Sequence, residues 1–181
     1  IGLETAMRKS EILSIRREDI DLQRRVIFIP KAKAGAREQP ITEHLGEFLA
    51  SYADALQPGN PWLFPSPSAK VGHTVDVRKP FRRVVAAAGL DPDQILRHTL
   101  RHTAITRLVA RNVNNSTIYK LCGHKSDNST HYDYLHELPT TTLKGAVDAI
   151  DFEQLLDLSK FDWKPALAKL RPGARSRRVR D

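Results

Sequence analysis

The 181-residue sequence contains one cysteine, Cys122, and one methionine, Met7. A single cysteine rules out an intramolecular disulfide and any zinc site built from four thiolates. No apolar run approaches the roughly 20 residues that a membrane-spanning helix needs. No signal-peptide pattern opens the chain, which begins at Ile1 in what reads as mid-helix. A reducing, cytoplasmic setting without a membrane partner is therefore expected, with the chain forming the C-terminal part of a longer protein. Negative charge is in short supply. Asp and Glu number 21 against 29 Lys and Arg, giving a net charge of +8 and a pI near 9.8. That balance suits a polyanion, with nucleic acid first among the candidates. Hydrophobic content of 40% is that of an ordinary folded domain, so a disordered chain is excluded.

Helical periodicity dominates what is present. "IGLETAMRKSEILSI" reads as two helical pieces meeting near Met7 and Arg8, and "REDIDLQRR" as a polar turn. "RRVIFIP" is a short β-branched strand, and "KAKAGAREQPI" turns around Gly35 and returns toward Ile41, forming a small hairpin with basic residues at its tip. Leu45, Phe48, Leu49, Tyr52 and Leu56 mark a helix over 42–57, and Phe81, Val84, Val85 and Ala88 mark another that ends at Gly89. A helix is expected from Leu100 to about Arg111, with Leu100, Ala104, Ile105 and Leu108 facing inward. Asn115 or Ser116 should cap a short helix that Gly123 ends. Helical turns around Tyr132 and Tyr134, over "TTTLKGAVDAI" and over "DFEQLLDL" complete a mainly α fold with a small antiparallel β-hairpin, an α+β class. The arginine-rich tail "RPGARSRRVRD" has no apolar period and could contact DNA phosphates.

The stretch from His98 to His136 concentrates five histidines, three arginines and three tyrosines, of which Tyr132 and Tyr134 are near neighbours. His98 and His102, four apart, could share a helix face and bind a metal. However, a metalloprotease motif carries its glutamate directly after the first histidine, where Thr99 stands, and Arg101 would put a cation beside a dication. Phosphoryl transfer fits better. His98 and Arg101, three apart, can reach one cluster of oxygens, and a guanidinium presents a planar fork to phosphate.

In chain order these residues are Arg8 with Glu11 three residues on, Lys33 in "KAGAR", His98 and Arg101 in "HTLR", His124 in "GH", and Tyr134 in "YLH". This ordered set resembles the catalytic domain of the tyrosine recombinases, the phage integrase family, over roughly residues 1–150. The resemblance implies that Arg8 and Arg101 grip a scissile DNA phosphate and that Glu11 supports Arg8. It makes Lys33 the general acid, with Lys31 as a nearby rival, and gives His98 and His124 the phosphate oxygens and proton transfer. Tyr134 is then the nucleophile, favoured over Tyr132 because histidine follows two residues later. His102 is expected to be a buried structural hydrogen bonder.

The implied reaction is site-specific strand exchange on double-stranded DNA through a covalent 3′-phosphotyrosyl intermediate, with no metal and no cofactor. The resemblance further implies a homotetramer on DNA and an N-terminal DNA-clamping domain outside this chain. Residues 151–181 would then supply a C-terminal helix and basic tail that dock on a neighbouring protomer. Relaxation of the type IB topoisomerase kind and a DNA-binding protein without catalysis are the rival functions.

Overall fold

The computed structural model describes residues 1–32, 35–56, 58–123 and 140–148. Two short helices open it, α1 (Gly2–Thr5) and α2 (Lys9–Leu13). Between them Ala6 adopts a left-handed conformation, φ 51°. This breaks the helix sharply and sends successive side chains in different directions. Ala6 belongs to an apolar cluster with Ala104, Leu121 and Leu143, whereas Met7 belongs to one with Ile27, Ile41 and Leu45. Arg8 emerges where these two apolar clusters meet.

The polar segment expected to be a simple turn holds more structure. A 3₁₀ turn (Arg17–Asp19) leads into strand β1 (Ile20–Asp21), followed by β2 (Val26–Ile29) and β3 (Arg37–Pro40). The three strands form an antiparallel sheet in the order β1-β2-β3, so the sheet has one strand more than the expected hairpin. Ile20 and Asp21 pair with Ile27 and Val26, and two residues are too few to show alternation in sequence. Ile27 and Ile29 are buried on one face and Phe28 is exposed on the other, where Val26 at the strand's start is also buried.

Helix α3 (Glu43–Asp54) covers the face of Ile27 and Ile29 with Leu45 and Leu49. Thr42 caps it, its hydroxyl accepting from the Leu45 N–H at 3.1 Å and donating to Glu4, which ties α3 to α1. Helix α4 (Arg78–Ala87) is largely exposed and buries only Val85.

Helix α5 (Arg97–Ala110) begins three residues earlier than its apolar pattern indicates. The Thr99 hydroxyl accepts the Leu96 N–H at 3.1 Å, fixing the start there. Ala104 and Leu108 are buried as expected, and Ile105 packs against them. Leu100 instead lines a cavity. Helix α6 (Asn115–Cys122) is capped by Asn114, one residue before the expected cap, and Gly123 ends it at φ 59°.

Helix α7 (Thr140–Asp148) buries Leu143, Ala146 and Val147 against α5 and α6. Its last residue, Asp148, accepts from both Nη atoms of Arg25, at 3.3 and 3.1 Å. The expected helices around Tyr132 and Tyr134 and over "DFEQLLDL", like the arginine-rich tail, lie outside the described residues. Among the described residues no helix is long and apolar enough to cross a membrane.

Two substitutions test this packing. Thr42→Ala removes the α3 cap and should lower stability by about 1 kcal/mol. Leu49→Ala, in the cluster between α3 and the sheet, should cost about 2–5 kcal/mol. Urea unfolding followed by circular dichroism measures both, and equal losses would contradict the placement of Leu49 in the core.

Candidate active site

Glu11 organises the site. It stands three residues into α2, and its carboxylate folds back to accept the Arg8 backbone N–H through Oε2 at 3.0 Å. This satisfies a donor that a helix start leaves unpaired. The same carboxylate accepts Arg8 Nη1 through Oε1 at 3.2 Å and Arg37 Nη2 through Oε2 at 3.1 Å. Its side chain is only 3% exposed. A carboxylate buried to that depth is tolerated when paired and hydrogen-bonded, and two guanidinium groups meet both conditions.

The C-terminal end of α6 completes the cluster. Arg8 donates through Nη1 to the Cys122 carbonyl at 3.3 Å and through Nη2 to the Gly123 carbonyl at 2.9 Å. Arg101 donates through Nη2 to the same Cys122 carbonyl at 2.8 Å and through Nη1 to the Ala6 carbonyl. The two donors on Cys122 are therefore no farther apart than the sum of their distances to it. The last carbonyls of a helix carry its partial negative charge, which makes that end a suitable anchor for cations.

Three guanidinium groups, from Arg8, Arg37 and Arg101, thus face one carboxylate, an excess of two positive charges. Burial pushes the Arg37 guanidinium below its ordinary value, and Glu11 opposes the shift. Burial also lowers Arg101, with Arg8 adding to the effect and Glu11 opposing it. Guanidinium is basic enough to stay charged through both. The bonds to described residues use three of the five N–H donors of Arg8 and two of those of Arg101. The remaining donors have no partner among the described residues and can meet an anion.

Both arginines line a cavity of about 400 Å³, together with Lys9, Arg97, His98 and Phe81 of α4. His98 is exposed in the first turn of α5. Its ring meets that of His102 edge-on, with centroids 5.7 Å apart. His102 is itself exposed, which corrects the expectation of a buried histidine. The helix turns it one position away from the side that carries Arg101, toward solvent rather than the core. Among the described residues no three His, Cys, Asp or Glu side chains come together as metal ligands.

Arg8, Glu11, His98 and Arg101 are thus brought to one place. Lys33, His124, Tyr132 and Tyr134 lie outside the described residues, and Lys31 is exposed. Arg37 is a member of the cluster that sequence reasoning did not single out. Its only signal there was its place after the glycine turn in "KAGAR", as the basic residue that opens the return strand.

The chain matches the model of the phage integrase family over residues 1–140. It belongs to that family. A putative integrase/recombinase, y4rF, of Sinorhizobium fredii is 31% identical over 134 residues, which are 70% of this chain and 31% of that protein. An integrase from mycobacterium phage Brujita shares the fold with a TM-score of 0.63 at 22% identity, covering 83% of this chain and 49% of its own. The Tn1549 transposon integrase, solved in complex with transposon right end DNA, aligns with a TM-score of 0.57 at 22% identity over 85% of this chain and 56% of its own. This integrase-family chain spans about a third of the curated relative and about half of these solved structures.

Two outcomes follow from the site's packing. Cys122 is fully buried and burial pushes its thiol up, with Arg101 and its neighbours opposing. At pH 8 a disulfide reagent should therefore label it only as the protein unfolds; rapid labelling of the folded chain would contradict its burial beneath the arginines. Gly123→Ala would place a methyl carbon 2.8 Å from Arg37 Nε at a left-handed φ. That change should cost about 1–3 kcal/mol in thermal unfolding, and a neutral result would contradict the close approach.

Proposed function

We propose that this chain carries out site-specific DNA strand exchange by transesterification, with Tyr134 as nucleophile. A phenol has a pKa near ~10 and attacks poorly at neutral pH. The phosphodiester it must attack carries a negative charge that repels it, and that charge grows in the transition state. The unused donors of Arg8 and Arg101 would bind the nonbridging oxygens and stabilise the added charge. His98 and His124 would hold those oxygens and move protons. Tyr134 would displace the 5′-oxygen and form a 3′-phosphotyrosyl bond, while Lys33 protonates the leaving oxygen. Attack by another 5′-hydroxyl reverses the step and joins the new strand. The phosphoester bond is conserved in the tyrosine linkage, so no nucleotide cofactor is required. Two guanidinium groups supply the charge that a metal provides elsewhere.

The observation that carries this reading is the meeting of Arg8 and Arg101 on one carbonyl at the edge of a cavity that His98 also lines. Charge supports the partner: the chain carries +8, and Lys79 and Arg83 of α4 are exposed. The bound DNA of the Tn1549 integrase supports it too. On this reading residues 1–150 form the catalytic unit. Exchange takes place within a homotetramer on DNA, with residues 151–181 docking on a neighbour.

A nicked suicide DNA substrate, incubated with the protein in EDTA, should accumulate a covalent protein–DNA adduct. Tyr134→Phe should abolish the adduct and Tyr132→Phe should retain it. Arg8→Gln and Arg101→Gln should each slow its formation by about 10²–10³-fold. Activity that disappears in the chelator, or an adduct that survives Tyr134→Phe, would overturn the assignment. Relaxation of supercoiled DNA without strand exchange would favour the topoisomerase outcome instead.

A further inference from the structure

We propose that Arg37 is a positioning residue for Arg8, acting through the carboxylate the two share and through the turn at Gly123. Only the catalytic consequence of this proposal rests on the recombinase reading. Arg37 begins β3, directly after the glycine turn of the hairpin, and its side chain is 13% exposed. A guanidinium so withdrawn from water has little access to a ligand of its own. Its fork spans two elements of the site, with one Nη nitrogen on Glu11 Oε2 at 3.1 Å and the other on the Oε1 of fully buried Gln39. A lysine, with one ammonium on a flexible stem, could not make both contacts with the same geometry.

The third nitrogen faces α6. Arg37 Nε is buried and finds no hydrogen-bond partner among the described residues. A Cβ on Gly123 would lie 2.8 Å from it and 3.3 Å from Arg8 Nη1. Arg37 therefore packs against the backbone whose carbonyls hold Arg8 and Arg101.

The charge arrangement explains why this matters. Glu11 has two oxygens. Arg37 and the Arg8 backbone N–H occupy Oε2, so Oε1 is turned toward the Arg8 side chain. Without Arg37 the carboxylate could rotate, and Arg8 alone would neutralise it. Arg8 would then be drawn onto Glu11 and offer less of its charge to an anion. The site would fall from an excess of two positive charges to one. Arg37 thus keeps Glu11 a support for Arg8 rather than its competitor for the ligand.

Nitrogen-15 NMR of the arginine side chains in the 181-residue chain tests this without DNA, Arg8→Lys identifying the Arg8 signal. In the unmodified chain the Arg8 guanidinium should rotate slowly. In Arg37→Gln its signal should shift as Arg8 closes onto Glu11 alone; an unchanged Arg8 signal overturns the proposal. If Arg37→Gln does not fold, Arg37→Lys keeps the charge but not the two-pronged contact with Glu11 and Gln39. An Arg8 signal unchanged in that variant is equally contrary.

Adduct formation on the suicide substrate then tests the consequence. Arg37→Gln should slow it by about 10–100-fold, with Arg37→Lys recovering part of the loss. In an Arg8→Gln background the same change should cost about twofold or less, because the two residues act as a unit. Equal losses in both backgrounds overturn the positioning role. If even the unmodified chain forms no adduct, the recombinase reading fails, and the NMR result alone decides the role of Arg37.

Discussion

Two guanidinium groups sharing one carbonyl oxygen repel each other, and the rest of the site follows from what holds them there. Arg8 and Arg101 both donate to the Cys122 carbonyl at the negative end of α6. Arg8 is steadied further by Gly123 and Glu11, and Arg101 by Ala6. Backbone oxygens are suited to this task because they carry only partial charge. They fix the arginines in place without cancelling them, as a second carboxylate would. Among the described residues Glu11 supplies the one full negative charge, and Arg37 shares it. The outcome is a set of charges fixed before any anion arrives, which is the form of electrostatic stabilisation that costs least reorganisation during reaction.

The fold supplies that arrangement by joining two apolar clusters at their common edge. One cluster unites α1, α5, α6 and α7, and the other the sheet and α3. Ala6 belongs to the first and Met7 to the second, so Arg8 leaves the chain at the seam. Arg101 comes from α5 in one cluster and Arg37 from β3 beside the other. Residues separated by up to 115 positions are linked by hydrogen bonds across this seam. The left-handed turn at Ala6 and the glycine at the end of α6 let backbone carbonyls approach the arginines from both sides.

Much of this was legible in the sequence, for reasons that differ by element. Helix α3 announces itself through five apolar residues at helical spacing and a threonine cap, and the end of α6 through Gly123. The start of α5 was hidden because a polar contact from Thr99, not an apolar residue, fixes it. Strand β1 was hidden by its length. At the site, Arg8, Glu11 and Arg101 were legible through the resemblance of the whole ordered set of motifs to the phage integrase family, since no single motif points to them alone. Arg37 was not, since its role arises from a contact across 26 residues that no local pattern records. The placement of His102 failed for a related reason: a helical histidine next to an arginine can face the core or solvent, and only the packing of α5 decides.

The remaining donors of Arg8 and Arg101, without partners among the described residues, should meet the same phosphorus centre. A crystal structure of the chain with a DNA duplex locates that atom directly. It should show one backbone phosphate with nonbridging oxygens within hydrogen-bond distance of both guanidinium groups, at the rim shared with His98. DNA bound across another face, with no phosphate at the two arginines, would contradict it.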